Sequence, residues 1–311
     1  MTLPIHIWER GYRFTSASYV NKYLHDHYET LALPNPTLQA RDKSTAFMYY
    51  LEHGKSYYSL SSTSPLEIKP LLLFYGLTHL LKAALLTVDP FYPDSTSVLA
   101  HGVSTRKKKK QQYLFFQDEV KIQRNGLCTH LSEKLFHVKQ LENKKISMGD
   151  LMECLPELDK LFYYFRPTKG TTSVTVNGDT LLMPSNISIQ DIKESFGDDL
   201  EIKWNNNMIS IQRYNKHLVF PIRSHSDTDI YIPSKLSYIH FLPHLIIHYL
   251  LLYNLSMIAR YETEWWGNLI RSSPTHDYPL IQSFLQSTLY SGPSLIFDYL
   301  ESNQEKNPLL E

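Results

Sequence analysis

Residues 64–88, SPLEIKPLLLFYGLTHLLKAALLTV, decide the fold of this chain. Beyond the opening turn the stretch is apolar nearly all round, whereas a surface helix keeps a polar stripe, so it is predicted to run buried through the centre of a helical domain. Ser64, Pro65 and Glu67 stand at capping-box spacing. The serine can accept from the first free amides, the proline suits the first helical position and the glutamate reaches back to the cap. The helix is expected to begin there and run to about Val88, with a kink at Pro70.

On the N-terminal side, residues 16–28 suit a short helix capped by Ser16 or Thr15 and ended by the prolines of LALPNPT. In residues 45–60, Ala46, Tyr49, Tyr50, His53, Tyr57 and Leu60 recur at helical spacing, with Gly54 a weak point. On the C-terminal side, DPFYPD at 89–94 is a break and HGVSTRKKKK at 101–110 reads as a loop. Residues 113–123 follow as extended segments. Helices are expected at 132–139 and 147–165, the second opened by Ser147 and Asp150 and made irregular by Pro156.

At Arg166-Pro167 the period changes. Residues 170–233 alternate, with an Asn177-Gly178 hairpin signal and a similar design around Asn205, which predicts four to six antiparallel strands and one helix at 188–196. From Ser237 the helical period returns. The fold class is α+β: a mainly α-helical domain with an inserted small antiparallel β-sheet. The expected organisation is an N-terminal helical part (1–166), the β insertion (167–235) and C-terminal helices completing the helical domain (236–311).

The chain has 311 residues, 42% of them hydrophobic, which is material for a sizeable core. Its two cysteines, Cys128 and Cys154, do not make a disulfide framework, and a reducing compartment is expected. The N-terminal residues lack a charged region followed by an apolar one, and the longest apolar run, 245–252, falls far below the roughly 20 residues that cross a bilayer. The chain therefore reads as cytoplasmic, with no membrane partner.

Net charge is zero, with 31 Lys and Arg against 31 Asp and Glu, so any polyanion partner must be met by a local excess. One exists: between Arg106 and Arg124 seven cations face only Asp118 and Glu119, a local charge of +5. Arg106, Lys107, Lys108, Lys109 and Lys110 can neutralise phosphates, with His101, Arg124 and Arg260 in support, while Tyr113, Phe115 and Phe116 could stack on bases. The plain alternative is a solvated loop whose aromatics pack inward. His240, His244 and His248 recur every four residues, as metal ligands on a helix do. Pro243 places His240 outside the helix and no Glu or Cys shares the register, so these histidines read as polar positions at the edge of a buried helix. No metal and no cofactor is expected.

Arg followed by His after four to six residues, the signature of small helical RNases, occurs at Arg124–His130 and Arg271–His276. About one such match arises by chance in a chain of this composition. Arg260, at the end of an apolar helix, could instead satisfy carbonyls and stack on Trp265. No P-loop, GxGxxG, GxSxG or HExxH is present, which leaves motor, dinucleotide and serine-hydrolase readings unsupported.

The blocks KPLLLFYGLTHLLKAALL, HGVSTRKKKKQQYLFFQDEVKIQRNGL and YLLLYNLSMIARYETEWW together resemble the YaaC-like family of bacterial cytoplasmic proteins over nearly the whole chain. More distantly, YGLTHLLKAALL followed by His101-Gly102 is similar to the paired long helices of HEPN domains, several of which are RNases or nucleotide-binding modules. That resemblance implies an HEPN-like helical bundle. The leading reading is a protein that binds nucleic acid or a nucleotide through the basic loop. The alternatives are a metal-independent HEPN-like RNase and a protein-interaction scaffold that docks a partner through exposed aromatics such as Trp265 and Trp266.

Overall fold

The computed structural model describes residues 5–105, 114–139, 141–165, 170–177, 180–184, 201–205, 208–212, 223–224, 230–233, 242–273 and 275–302. The basic run 106–110, Tyr113, His240 and the expected helix at 188–196 lie outside them. The fold is α+β, mainly helical, with a small antiparallel sheet set between two helical parts of the chain.

The N-terminal helices are α1 (Ile5–Glu9), α2 (Ala17–Thr30), α3 (Pro36–Thr63) and α4 (Lys69–Leu86). Ser16 caps α2 as expected, its hydroxyl accepting from the Tyr19 amide at 3.4 Å. α3 starts nine residues earlier than the periodicity suggests. Pro36, without an amide to satisfy, occupies its first turn after the left-handed Asn35.

α4 is the central helix. It packs against α3 and against two C-terminal helices, α8 (His244–Tyr261) and α10 (Asp277–Ser302). Leu73, Phe74, Leu77, Leu80, Leu81 and Leu85 are fully buried, each such side chain contributing about 1.5–3 kcal/mol. The start expected at Ser64 is corrected. Ser64 ends α3, its amide and hydroxyl both donating to the Ser61 carbonyl, which also receives the Lys69 ammonium at 2.6 Å. α4 opens at Lys69, and Pro70 fits its first turn instead of kinking it. At the other end, the Tyr28 hydroxyl donates to the Leu86 carbonyl at 2.7 Å, satisfying one of the carbonyls a helix leaves free.

Gly54, a weak point by propensity, is a close-approach residue. A Cβ there would meet Leu80 Cδ2 at 2.5 Å, and one at Gly76 would meet the Tyr58 ring at 2.8 Å. The two glycines let α3 and α4 approach closely along their length.

Between α4 and α8 the chain forms α5 (Leu127–Phe136), α6 (Met148–Glu153) and α7 (Asp159–Phe165), and a sheet of β1 (Val103–Thr105), β2 (Glu119–Ile122) and β3 (Lys145–Ser147) in that order, antiparallel. Two segments read from sequence as simple are composite. His101 begins a turn that enters β1, so 101–110 is not all loop, and 147–165 is two helices joined by a turn at Pro156–Leu158. The Ser147 cap holds, accepting from the Asp150 amide at 3.1 Å.

The second sheet follows α7: β4 (Thr171–Asn177), β5 (Thr180–Pro184), β6 (Glu201–Asn205), β7 (Met208–Gln212), β8 (Arg223–Ser224) and β9 (Ile230–Pro233). Spatial order is β6-β7-β5-β4-β9-β8, with neighbours antiparallel. The β4–β5 hairpin falls where it is read from sequence, but its register sets Asn177 opposite Thr180, one residue beyond the Val176–Asp179 pairing that a two-residue Asn177-Gly178 turn would give. Met183 and Ile209, paired across β5 and β7, are both fully buried.

α8, α9 (Thr263–Ser272) and α10 complete the helical part. Asn254 and Ser256, polar within an apolar helix, are hydrogen-bonded as expected: Asn254 donates to Asp118 at 2.8 Å, its Oδ1 having no partner among the described residues, and Ser256 donates to the Tyr253 carbonyl. Cys128 and Cys154 are buried thiols, not joined in a disulfide. Among the described residues α4 is the one helix long and apolar enough to cross a membrane, and its 72% burial inside the molecule is that of a core helix.

Candidate functional site: a ring-lined cationic face

His101 is held by backbone before its ring is considered. Gly102 and Gly126 both take positive φ, +72° and +129°, and pack so closely that a Cβ on Gly126 would meet Gly102 Cα at 2.3 Å. That contact sets the first turn of α5 beside β1, and the Cys128 amide donates to the His101 carbonyl at 3.1 Å. The Tyr249 hydroxyl, from α8, donates to the same oxygen at 3.0 Å.

The His101 ring then lies edge-on to Phe74 at 5.0 Å and among Tyr75 and Tyr253 at 6.4 and 5.8 Å. From Tyr75 the rings continue along α3 and α4. Tyr57 stacks on Tyr75 at 5.9 Å and on His79 at 5.6 Å, and His79 also meets Tyr50 and His53 at 5.8 and 5.3 Å. Tyr50, His53 and Tyr57 share one face of α3, and Tyr75, His79 and Lys82 one face of α4, by their spacings of three and four. His53 is exposed, while Tyr50, Tyr57, Tyr75, His79 and His101 are half-buried.

Cations border the run of rings. Lys82 sits over the Tyr50 ring at 5.7 Å. Arg260, in the last turn of α8, donates to the Ser256 carbonyl at 3.2 Å and lies over Tyr261 at 5.3 Å. The ring described beneath it is thus Tyr261. Burial, with Arg260 and Lys82 adding to it, lowers the His101 pKa. Burial, Lys82 and His53 together push His79 down to about 4, and its Nδ1 is buried without a hydrogen-bond partner among the described residues. Burial also lowers Lys82. The charged groups that lower the two imidazoles are Lys82, Arg260 and His53, so positive and imidazole groups are gathered on this face.

Of the residues expected to bind phosphate, His101 and Arg260 are brought within electrostatic reach of each other. Arg124 is exposed in the turn after β2 and is not among the groups acting on His101. Arg106 to Lys110 follow β1 directly in the chain, outside the described residues. Phe115 is corrected as a stacking candidate. It is fully buried, its amide donating to Asp277 at 3.0 Å, and Phe116 packs on Phe162. Sequence reasoning missed Tyr57, Tyr75, His79 and Lys82, whose spacing was legible but read as core.

The two Arg/His pairs are separate structures. The His130 Nε2 meets Asp89 at 2.8 Å in a nearly buried pair, while Arg124 is exposed. His276 stacks on Phe165 at 4.5 Å, ahead of α10. Trp266, expected as an exposed aromatic, is 2% exposed and donates to the Glu67 carbonyl.

These observations define a mainly helical α+β protein whose paired helices α3 and α4 carry a ring-lined face bordered by Lys82 and Arg260. The chain belongs to the YaaC-like Protein family, whose model matches residues 12–300. No curated protein and no solved structure matches it.

Proposed function

We propose that this protein binds a phosphate-bearing ligand, a nucleotide or a single-stranded nucleic acid, on the ring-lined face. One observation carries the reading: aromatic rings run in continuous contact from His53 to Tyr253, with Lys82 over Tyr50 and both Lys82 and Arg260 acting on His101. Rings supply stacking for bases and cations supply neutralisation for phosphates. The basic run Arg106–Lys110 begins five residues after His101 in the sequence.

Anisotropy of a labelled single-stranded oligonucleotide and of a labelled mononucleotide tests this and separates the two ligand sizes. Tyr75→Ala should weaken binding about 5- to 150-fold, the equivalent of 1–3 kcal/mol per stacked base. Wild-type affinity in a Lys82→Gln, Arg260→Gln protein would remove the face from consideration. Incubation of the same labelled RNA reports cleavage. Loss of full-length RNA that depends on His130 or His276 would support the RNase alternative over simple binding.

A further inference from the structure

A second polar cluster lies away from that face. Glu157, in the turn Pro156–Leu158, reaches α8 where His244 and His248 stand four residues apart. Its Oε1 is 3.4 Å from His244 Nε2 and 3.1 Å from His248 Nε2, and the ligand-capable atoms of all three lie within 4.8 Å of one another. The side chains are 1%, 6% and 0% exposed.

Hydrogen positions make this arrangement informative. The Thr288 hydroxyl donates to the Phe284 carbonyl at 2.8 Å, so its oxygen is free to accept, and His248 Nδ1 lies 3.0 Å away. That bond places a proton on His248 Nδ1, so Nε2 faces the Glu157 carboxylate oxygen at 3.1 Å. A carboxylate beside a ring nitrogen at that distance is held by a shared cation, either a proton on Nε2 or a metal ion. Glu157 Oε2, also buried, has no hydrogen-bond partner among the described residues. A hydroxyl or carbonyl on the far nitrogen is the arrangement that orients a metal-binding histidine.

We propose that Glu157, His244 and His248 bind a divalent transition-metal ion of the zinc type. With metal–ligand lengths of about 2.0–2.2 Å, neighbouring ligand atoms stand about 3 Å apart in octahedral and about 3.4 Å apart in tetrahedral coordination, the range of the two separations from Glu157 Oε1 to the histidine nitrogens. Two imidazoles and a carboxylate suit zinc and its neighbours in the first transition row, and a remaining position falls to Glu157 Oε2 or water. The i, i+4 histidines were legible in sequence. The third ligand was not, because it comes from a turn 87 residues before His244.

The test uses the purified full-length chain, stripped with chelator and titrated with zinc by calorimetry, with cobalt(II) absorption as a second probe and the melting temperature followed throughout. The expected result is about one zinc per chain and a melting temperature that rises with zinc and falls again with chelator. Glu157→Gln should abolish the tight site, and Thr288→Val should weaken it about 10- to 100-fold by releasing His248. His25 forms a separate surface cluster with Asp26 and Glu29, so His25→Ala should leave the tight site intact. Unchanged melting of the wild-type protein with zinc or cobalt would overturn the proposal and leave a buried imidazolium–carboxylate pair. So would wild-type zinc affinity in Glu157→Gln, or loss of the tight site in His25→Ala.

Discussion

Replacing Gly54 by Ala places one methyl group between α3 and α4, and the structure fixes what it meets. The new Cβ would lie 2.5 Å from Leu80 Cδ2 and 2.7 Å from its Cγ, with the Gly76 carbonyl next at 3.3 Å. Leu80 is fully buried, so rotating one methyl does not relieve the contact. Overpacking of this kind costs about 1–3 kcal/mol, against a gain of about 1 kcal/mol from Ala over Gly inside a helix. Gly54→Ala alone should therefore cost up to about 2 kcal/mol. Leu80→Ala alone leaves a cavity and should cost about 2–5 kcal/mol. Combined, the new methyl enters the space that Leu80 vacated, and in the Leu80→Ala background Gly54→Ala should stabilise by about 1 kcal/mol. Urea unfolding of the four proteins measures a coupling energy expected at about 1–3 kcal/mol. Strict additivity would refute the close approach of the two helices. The single variant also pushes His53 and Tyr57 away from Tyr75 and His79, so it should weaken oligonucleotide binding, and Leu80→Ala should restore part of it.

Other outcomes follow from named contacts. The Tyr58 hydroxyl is fully buried with no hydrogen-bond partner among the described residues, so Tyr58→Phe should leave stability unchanged or raise it by about 1 kcal/mol in the same unfolding experiment. Burial raises the Asp89 pKa, but hydrogen bonding to His130 and the nearby Lys134 outweigh it and hold the carboxyl below its ordinary value. A depressed folded pKa gives stability that is complete above the unfolded value near pH 4 and is lost as pH falls through the folded one. Asp89→Asn should cost about 3 kcal/mol at pH 7, and the gap from wild type should narrow as melts are repeated below pH 4.

The central helix was legible because its composition leaves only the narrow stripe of Tyr75, His79 and Lys82 as a polar face, and burial of such a helix depends on composition more than on partners. Its starting point was not. Ser64-Pro65 and Lys69-Pro70 are both good helix openings by local chemistry, and the choice between them is made by α3, which runs on to Thr63 and claims Ser64 as its end. Gly54 misled in the same way, since propensity counts its flexibility while the fold uses its missing side chain. For the site, the sequence placed His101 and Arg260 in separate blocks 159 residues apart. Their meeting depends on two glycines, a tyrosine hydroxyl and the packing of α4 on α8. Tyr75, His79 and Lys82 had the right spacing on α4 but were absorbed into a reading of that helix as core throughout.

The most direct test of the ring-lined face is the salt dependence of single-stranded oligonucleotide binding, compared between the wild-type protein and the Lys82→Gln, Arg260→Gln double variant. Each phosphate neutralised contributes about 0.7 to the slope of log affinity against log salt. The wild-type protein should show a steep fall with salt, and the double variant a slope shallower by about 1.4. Equal slopes, or binding indifferent to salt, would contradict the account.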